Sequence, residues 1–483
     1  MSEARRKSDR MAELIGRLEA VVGAKGLVTD AHDMAPHLED RRGRFQGTAP
    51  CIVKPASTQE VAQVVELCAA AGVAIVPQGG NTGLVAGGIP SEDGESIVVN
   101  LGRMNRIRAL DAANDTITVE AGCILQAVQE AAEAAGRLFP LSLTAQGSCQ
   151  IGGNLSTNAG GIQVLRYGNA RDLVLGLEVV LADGRVWDGL RSLRKDNTGY
   201  DLKQLFIGAE GTLGIITAAV LRLFPRPRET ITAFAAVAGV PAAVDLLGRL
   251  RAAVGETLTS FELIPRRGIE FGMKHVPGVQ DPLSEPHVWY VLVELWSGAA
   301  QSGLKAALEA TLATAHGDGL VRDAAIAASE AQAAALWQAR EGIVESQKFE
   351  GASIKQDIAV PISAVAEFVA RASAAVEALI PGIRPIVFGH LGDGNIHFNL
   401  TQPEGADPEA YLARWDEVNR IVYDIVMGLG GSISAEHGIG RLKLEENVHY
   451  KSAIEIELMQ RVKRALDPEN IMNPGKVVPD FES

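Results

Sequence analysis

The sequence lacks a long hydrophobic run. No stretch of 18 or more apolar residues occurs in the 483-residue chain, so no membrane-spanning helix is predicted. Residues 1–19 mix basic side chains with Glu3 and Asp9 and contain no apolar core, a pattern that is not typical of a secretory signal. These two absences favour a cytoplasmic protein without a transmembrane segment.

Cysteine is scarce and is not clustered. None of the four cysteines belongs to a C-x-x-C pair, which excludes the usual patterns of a zinc ribbon, an iron–sulfur cluster and a disulfide scaffold. We therefore expect Cys51, Cys68, Cys123 and Cys149 to be buried free thiols in a reducing compartment.

The chain also lacks an excess of positive charge. It has 45 Lys and Arg residues against 59 Asp and Glu residues, a formal net charge of −14 at pH 7. A phosphate backbone would be repelled by such a surface, which excludes a general nucleic-acid binder. A local basic pocket for a small anionic substrate stays open.

The length of the chain predicts two or three domains. A break is expected at Pro225-Arg226-Pro227. Long predicted helices beside a few strands follow it, which favours an α+β second domain. We predict an N-terminal helical segment (1–46), a first domain (47–227), a second domain (228–440) and a C-terminal segment (441–483).

Three glycine-rich segments stand in the first half of the chain. The first, 77–90, follows a predicted buried strand and has five glycines within ten residues. Backbone N–H groups of such a loop can cradle a phosphate or pyrophosphate, although neither G-x-G-x-x-G nor a P-loop is present. A plain flexible loop is the alternative for one segment, but the further clusters at 147–161 and 207–215 indicate backbone wrapped around one extended ligand.

A histidine-bearing hairpin is predicted at residues 386–400. Gly392-Asp393-Gly394-Asn395 has the composition of a turn, which would place His390 directly opposite His397. Opposite residues on one face have Cβ atoms about 4.5–5.5 Å apart, a separation that suits two imidazoles on one metal. Asn399 shares that face and is a candidate to bind substrate.

A third ligand is available in the segment Ser434–Gly440. Glu436 would complete a His/His/Glu set with an open position, which is typical of a catalytic divalent metal site. His437 would then serve as a general base, with an ordinary pKa near ~6.5. Structural histidines without a metal are the alternative that the spacing leaves open.

These segments together resemble a known family. Residues 47–227 are similar to the FAD-binding domain of the PCMH (vanillyl-alcohol oxidase) type, and the whole chain resembles the D-lactate / D-2-hydroxyglutarate dehydrogenase and glycolate oxidase flavoprotein subunit family. The resemblance implies an α+β protein in which 47–227 bind FAD. It also implies that 228–440 form a ferredoxin-like substrate or cap domain with a metal site, and that the helical segment 441–483 returns to the flavin.

The resemblance also implies which residues hold FAD. Relatives often tether the flavin to a histidine in the first glycine-rich loop, where this chain has Asn81 and no His or Cys, so non-covalent FAD is expected. The implied cofactor-binding residues are Pro77, Gly79, Gly80, Asn81, Thr82, Gly83, Leu84, Gly87, Gly147, Ser148, Ile151, Gly152, Asn154, Ser156, Asn158, Gly160, Gly161, Glu210, Gly211, Leu213, Gly214, Ile215, Asn473 and Lys476.

For the metal, His390, His397 and Glu436 match the family's ligands, and zinc is expected, with manganese or iron as alternatives. A carboxylate substrate also needs a cation. Arg340 and Lys355 match the positions that hold the distal carboxylate in 2-hydroxyglutarate-oxidising relatives. Val344 replaces a Thr of those relatives, which keeps D-lactate and D-malate open beside D-2-hydroxyglutarate.

The predicted activity is the oxidation of a D-2-hydroxy acid to the 2-oxo acid by hydride transfer to flavin N5, with metal assistance. An electron-transfer flavoprotein or a quinone is the expected external electron acceptor, and the chain is compatible with a homodimer. Three alternatives are an oxidase that uses oxygen, a metal-dependent hydrolase and a non-enzymatic flavin- or nucleotide-binding sensor.

Overall fold

The computed structural model describes residues 3–481 and divides the chain into two compact units. The first unit comprises 1–160, 169–226 and 436–483, and the second comprises 161–168 and 227–435. The helical prediction for residues 1–2 and the C-terminal-segment prediction for residues 482–483 lie outside the described residues.

The strands are β1 (Leu27–Val28), β2 (Ile52–Val53), β3 (Ile75–Gln78), β4 (Ile97–Asn100), β5 (Ile107–Asp111), β6 (Thr116–Glu120), β7 (Arg137–Leu138), β8 (Val174–Val180), β9 (Val186–Gly189), β10 (Ile215–Arg222), β11 (Phe224–Pro225), β12 (Glu229–Val237), β13 (Leu258–Pro265), β14 (Trp289–Ser297), β15 (Val321–Ile326), β16 (Ser353–Ala359), β17 (Arg384–His390) and β18 (Asn395–Thr401).

The α-helices are α1 (Glu3–Val22), α2 (Ala31–Leu38), α3 (Thr58–Ala71), α4 (Leu125–Ala134), α5 (Ile151–Ser156), α6 (Val164–Tyr167), α7 (Lys203–Phe206), α8 (Val240–Val254), α9 (Arg266–His275), α10 (Leu304–Gly317), α11 (Glu330–Ser346), α12 (Val365–Leu379), α13 (Pro408–Leu412), α14 (Trp415–Gly428), α15 (Leu444–Tyr450) and α16 (Ala453–Leu466). None of these described helices combines the length and the apolar character that crossing a bilayer requires.

The first unit contains a four-stranded sheet in the order β1-β2-β4-β3, whose last three strands are parallel. Helix α3 begins where Ser57 accepts a hydrogen bond from the Glu60 backbone N–H at 3.2 Å, which satisfies one donor of the first turn. Its apolar face packs into the core beside this sheet. The four cysteines are buried free thiols, as predicted.

The first unit also contains an antiparallel five-stranded sheet in the order β5-β6-β10-β8-β9 and a two-stranded sheet of β7 and β11. The β8–β9 hairpin turns at Asp183 and Gly184, where Gly184 has a φ of +83°. A left-handed backbone is the conformation in which glycine pays no steric penalty. The Asp-Gly signal in the sequence therefore predicts the turn correctly.

The C-terminal tail of the first unit returns to β3. The backbone N–H of Ile75 donates to the Ile471 carbonyl at 2.7 Å, and that of Asn473 donates to the Ile75 carbonyl at 2.8 Å. Buried Lys463 on α16 holds this arrangement by donating to the carbonyls of Thr212 and Met472 at 2.8 and 2.7 Å. The tail thus reaches the strand that leads directly into the first glycine-rich loop.

The second unit is built on an antiparallel seven-stranded sheet in the order β15-β12-β14-β13-β17-β18-β16. Helices α9 and α11 pack their apolar side chains on one face, together with Phe234, Ile264 and Phe388 from the strands. On the other face, Phe368 of α12 contacts Phe398 of β18 with ring centroids 5.4 Å apart. Helices beside an antiparallel sheet make an α+β unit, as predicted.

The unit boundaries differ from the predicted ones in three places, and one of them is residue 227, which belongs to the second unit. Residues 161–168 belong to the second unit because the Ile162 carbonyl accepts from Ser260 at 2.8 Å and Arg166 donates to the Trp296 carbonyl at 2.8 Å. Residues 436–440, predicted at the end of the second domain, belong to the first unit. The backbone there is tied to Glu210, a contact that no local sequence pattern announces.

A partly buried ion cluster in the second unit centres on Glu350. Its carboxylate accepts from Lys274 at 2.6 Å, from His275 at 2.7 Å and from Arg384 at 2.7 Å. Burial would raise the pKa of Glu350, but the hydrogen bonds from these three side chains outweigh it and lower the pKa to about 2. The cluster joins the end of α9 to the start of β17.

Replacing Glu350 with Gln is expected to destabilise the second unit at pH 7 by about 1.5–3 kcal/mol, the usual worth of hydrogen bonds to charged groups. The pKa is lowered from 4.5 to about 2, so this stabilisation is present above pH 4.5 and is lost as the pH falls towards 2. Unfolding followed by tryptophan fluorescence should show a difference between variant and wild type that shrinks over that range. Glu404→Gln is the control, because Glu404 is 87% exposed and lies 3.7 Å from Arg384.

Candidate active site

The first glycine-rich loop lies directly after β3 and forms one wall of a cleft in the first unit. The cleft is open to solvent and has a cavity volume of about 140 Å³. Its lining residues are Asp40, Pro77, Gln78, Gly79, Gly80, Asn81, Thr82, Gly83, Val85, Ala86, Gly87, Gly88, Ile89, Leu101, Ala121, Gln150, Gly152, Gly153, Asn154, Ser156, Thr157, Glu210, Gly211, Gly214, Ile215 and Ile216.

Gly80 and Gly211 show why glycine is needed in these segments. A Cβ at Gly80 would overlap the Ser148 carbonyl oxygen, so this position must be glycine for the two segments to lie this close. Gly211 has a φ of +75°, and a Cβ there would lie 3.0 Å from Cγ of Pro77. Close approach of the three glycine-rich segments therefore depends on the missing side chains.

Asn81 of the first glycine-rich loop has a φ of +50°. Its Nδ2 donates to the carbonyls of Pro36 and Glu39, each at 3.0 Å. Asn tolerates this left-handed backbone better than most residues. The side chain therefore anchors the loop to α2 and supplies no nucleophile for a covalent bond.

Glu210 joins three distant parts of the first unit. Its carboxylate accepts from the backbone N–H groups of Ile439 and Gly440 at 2.7 and 2.9 Å, and its carbonyl accepts from Asn473 at 2.7 Å. Asn473 also donates to the Gly87 carbonyl at 2.9 Å. Burial raises the pKa of Glu210 to about 7 despite the two N–H donors.

The residues of this cleft fit FAD. Glycine-rich backbone lines the part where a pyrophosphate would be cradled. The buried Oε1 of Gln150 has no hydrogen-bond partner among the residues that the structure describes, and a buried acceptor of this kind is normally satisfied. A polar ligand edge in the cleft would satisfy it.

Some residues predicted to bind the cofactor do not line the cleft. Lys476 lines a different cleft of the first unit, and burial, followed by the charge of Arg441, lowers its pKa to about 8. Gly161 belongs to the second unit. The other predicted residues outside the lining are Leu84, Gly147, Ser148, Ile151, Asn158, Gly160, Leu213 and Asn473.

Sequence reasoning missed other lining residues. Gln78 is held by the His37 ring at 2.6 Å and donates to the Gly88 carbonyl at 2.9 Å. Its position inside the first glycine-rich segment, 77–90, was the available signal. Asp40 was placed in the N-terminal segment, and nothing in the local sequence connects it to the glycine-rich loop.

In the second unit, the histidine hairpin forms with a different register from the predicted one. Phe388, not His390, lies opposite His397, because the backbone of His390 starts the turn by accepting from Asp393 and Gly394 at 3.1 Å each. The shift is two residues, so both histidines stay on the same face. Their ring centroids are 5.5 Å apart. Among the described residues, the group of potential metal ligands that contains His397 and Asp357 does not include His390.

Glu262 on β13 lies opposite His390 on β17. Its Oε1 is 2.7 Å from Nδ1 of His390, and its Oε2 accepts from Nε and Nη2 of Arg340 at 2.9 and 2.8 Å. Burial would raise the pKa of Glu262, but His390 and Arg340 outweigh it and lower the pKa to about 2. Sequence reasoning missed Glu262 because β13 was not predicted, although an acidic residue within the run Phe261–Ile264 was a signal.

His397 has its own carboxylate neighbour. Asp357 lies opposite His397 in the β16–β18 register, with Oδ1 3.8 Å from Nδ1 of the ring. Asp357 also accepts from Nδ2 of Asn395 at 2.9 Å. Its carbonyl accepts from the Ala435 backbone N–H at 3.3 Å.

Glu436, the third predicted metal ligand, and His437, the predicted general base, directly follow Ala435 in the chain. Glu436 and His437 are both partly buried, and Oε1 of Glu436 is 3.9 Å from Nε2 of His437. Both residues belong to the first unit. Sequence continuity with Ala435, whose backbone is bonded to Asp357, is what connects them to the histidine hairpin.

The predicted substrate-binding residues have partners within the second unit. Arg340 is buried, lies over the Phe388 ring at 4.8 Å and pairs with Glu262. Nδ2 of buried Asn399 donates to Gln347 at 2.9 Å, and Lys355 lies opposite Asn399 on the neighbouring strand. Arg340 therefore has a role within the protein that the sequence did not predict.

Comparison with known proteins identifies the family. Residues 49–189 match the family described as "FAD binding domain", and residues 226–477 match "FAD linked oxidases, C-terminal domain". The chain is 41% identical over 467 residues to a probable mitochondrial D-2-hydroxyglutarate dehydrogenase of Oryza sativa subsp. japonica, covering 96% of this chain and 81% of that protein. It is 38% identical over 460 residues to D-2-hydroxyglutarate dehydrogenase of Xanthomonas citri pv. viticola, covering 95% and 96%.

Solved structures confirm the predicted fold. The p-cresol methylhydroxylase structure with substrate bound aligns with a TM-score of 0.77 at 16% identity, covering 98% of both chains. An alkyldihydroxyacetonephosphate synthase structure aligns with a TM-score of 0.73 at 18% identity, covering 96% of this chain and 86% of that one. The chain therefore belongs to the FAD-linked oxidases, with a PCMH-type FAD-binding fold, and is an FAD-dependent oxidoreductase.

Proposed function

We propose that the protein oxidises the CH–OH group of a D-2-hydroxy acid, with D-2-hydroxyglutarate favoured over D-lactate and D-malate. The observation that carries this proposal is the pair of histidines on β17 and β18, each with a carboxylate next to Nδ1. Carboxylate–histidine pairs are typical of metal ligands, and a D-2-hydroxy acid offers a hydroxyl and a carboxylate that chelate a metal. The names of the relatives support the same substrate class.

The donor set of His390 and His397, with Glu436 as the third proposed ligand, fits a divalent metal, and zinc is favoured over manganese and iron. Such a metal would lower the pKa of the substrate hydroxyl as a Lewis acid. Nδ1 of His390 is committed to Glu262, so any metal that this ring binds is bound through Nε2. The assignment of Glu436 rests on the sequence pattern and on its position directly after Ala435.

His437 is the proposed general base that takes the hydroxyl proton. Lys355 and Asn399 are proposed to bind the substrate, and Arg340 can reach a second carboxylate through the N–H groups of Nη1 and Nη2 that Glu262 does not take. Bound FAD would supply the hydride acceptor that no side chain can replace. An external electron-transfer flavoprotein or quinone is the proposed electron acceptor, and a cytoplasmic location and a homodimer stay predictions.

Anaerobic titration of the purified protein with D- and L-2-hydroxy acids tests the proposal. We expect the oxidised flavin absorption to bleach fastest with D-2-hydroxyglutarate, more slowly with D-lactate or D-malate, and not with the L-acids. Removing the metal with a chelator should slow bleaching, and adding Zn²⁺ should restore it. The proposal would be contradicted if the protein showed no flavin absorption, or if the D- and L-acids bleached the flavin at the same rate. Rapid reoxidation by oxygen alone would instead favour an oxidase.

A further inference from the structure

The buried carboxylate of Glu262 connects the metal and substrate assignments of the second unit. We propose that Glu262 is a positioning residue that orients His390 for metal binding and at the same time holds Arg340 in place. The inference rests on the proposed function, since it concerns the metal and the acid that the site would bind.

The geometry around Glu262 leaves its two oxygens with separate tasks. Oε1 lies 2.7 Å from Nδ1 of His390, and Oε2 takes two hydrogen bonds from Arg340. The Glu262 side chain is 1% exposed and that of Arg340 is 6% exposed. Water therefore does not compete for these contacts, and each partner is held in one orientation.

The hydrogen bond between Oε1 of Glu262 and Nδ1 of His390 determines which ring nitrogen can bind a metal. A proton on Nδ1 leaves Nε2 as the ligating nitrogen, and a carboxylate on the far side of the ring raises its basicity. His397 has a weaker counterpart, because its Nδ1 lies 3.8 Å from Asp357, beyond hydrogen-bond range. Glu262 therefore fixes the orientation of His390.

The contacts of Oε2 with Arg340 explain why a buried arginine lies next to Glu262. A metal-bound histidine is neutral, so Arg340 is the cation that compensates the buried charge of Glu262 when the ion is bound. Removing Arg340 would leave that carboxylate buried without a cation. A change at Arg340 is thus expected to weaken the metal site as well as the binding of a second substrate carboxylate.

The test measures Zn²⁺ affinity of the full chain with FAD bound, by competition with a chromophoric chelator. Glu262→Gln should raise the Kd for Zn²⁺ by about 10–100-fold, the usual effect of losing such a carboxylate partner. The amide can serve one of the two contacts as an acceptor, but it places an NH₂ group against the other donor. FAD content and the unfolding midpoint are recorded for every variant.

Glu294→Gln is the matched control. Glu294 is also buried in the same sheet, on β14, but it accepts from the neutral donors Trp337 and Thr232 at 2.8 and 3.2 Å. This variant should leave the Kd for Zn²⁺ within twofold of the wild type. A parallel rise in Kd for this control would show a general effect of lost packing and would overturn the proposal.

Glu262→Asp is a second variant that keeps the test usable if Glu262→Gln does not fold. It keeps the charge that compensates Arg340 but withdraws the carboxylate by about 1.5 Å, the length of one carbon–carbon bond, and should also weaken Zn²⁺ binding. A Kd unchanged in both Glu262 variants would overturn the positioning role alone. A wild-type protein that binds no Zn²⁺ in the same titration would overturn it together with the metal part of the proposed function.

Discussion

Replacing His437 with Ala is expected to slow flavin reduction by D-2-hydroxyglutarate by about 10²–10⁴-fold, the usual contribution of a general base. The hydroxyl proton must leave as the α-hydrogen departs, and no other predicted side chain is assigned to accept it. FAD should stay bound, since His437 does not line the cleft of the first unit. Stopped-flow measurement of the anaerobic flavin bleaching rate gives the result directly.

Two controls make the His437 result specific. His449→Ala removes an exposed histidine of α15 in the same unit and should leave the rate unchanged. Added imidazole should restore part of the activity of the His437 variant, because a free base can then take the proton. A His437→Ala protein that reduces its flavin at the wild-type rate would show that the base is another group.

Replacing Gly80 with Ala should cost the protein most of its flavin. The new Cβ would overlap the Ser148 carbonyl oxygen, so the first two glycine-rich segments must move apart. Overpacking of this kind typically costs about 1–3 kcal/mol, which corresponds to a loss in FAD affinity of roughly 5–150-fold. The ratio of flavin to protein absorbance after purification, and the Kd from fluorescence titration of the apoprotein, measure the loss.

Gly83→Ala in the same loop is the matched control. A Cβ at Gly83 would meet no atom within 4 Å, although Gly83 lines the same cleft. We expect this variant to keep the loop packed as in the wild type, so that it separates the lost packing in Gly80→Ala from contact of a new methyl group with the cofactor. If Gly80→Ala retains as much flavin as Gly83→Ala, the close approach of the loop to Ser148 does not shape the cofactor site.

The glycine-rich loop shows what local sequence can predict. Five glycines after a buried strand have one physical use, a backbone that lies close to a ligand or to another segment, and the loop indeed lines the cleft. Glu210 was implied by the family resemblance. Its hydrogen bonds to Ile439 and Gly440 were not predictable, because residues more than two hundred positions apart share no local pattern.

The histidine hairpin shows the limit of register prediction. The turn composition located the hairpin, but the pairing was two residues off, because His390 leaves the β17–β18 ladder and lies opposite Glu262 on β13. The prediction that the two histidines share one face is still correct, because side chains alternate along a strand with a period of two. Strands β12 and β13 were missed because strands buried in a sheet core read as apolar runs without a clear period.

The amino-acid sequence by itself determined the family, the flavin, the glycine-rich backbone around it and the face that carries His390 and His397. Each of these depends on residue types at short spacing, where the chain geometry allows few alternatives. Only the tertiary structure decided that Glu262 holds both His390 and Arg340 and that the tail at Asn473 returns to β3. Those contacts join residues that are distant in the chain, and burial, which makes a carboxylate or an amide find a partner, is a property of the packed fold and not of any local segment.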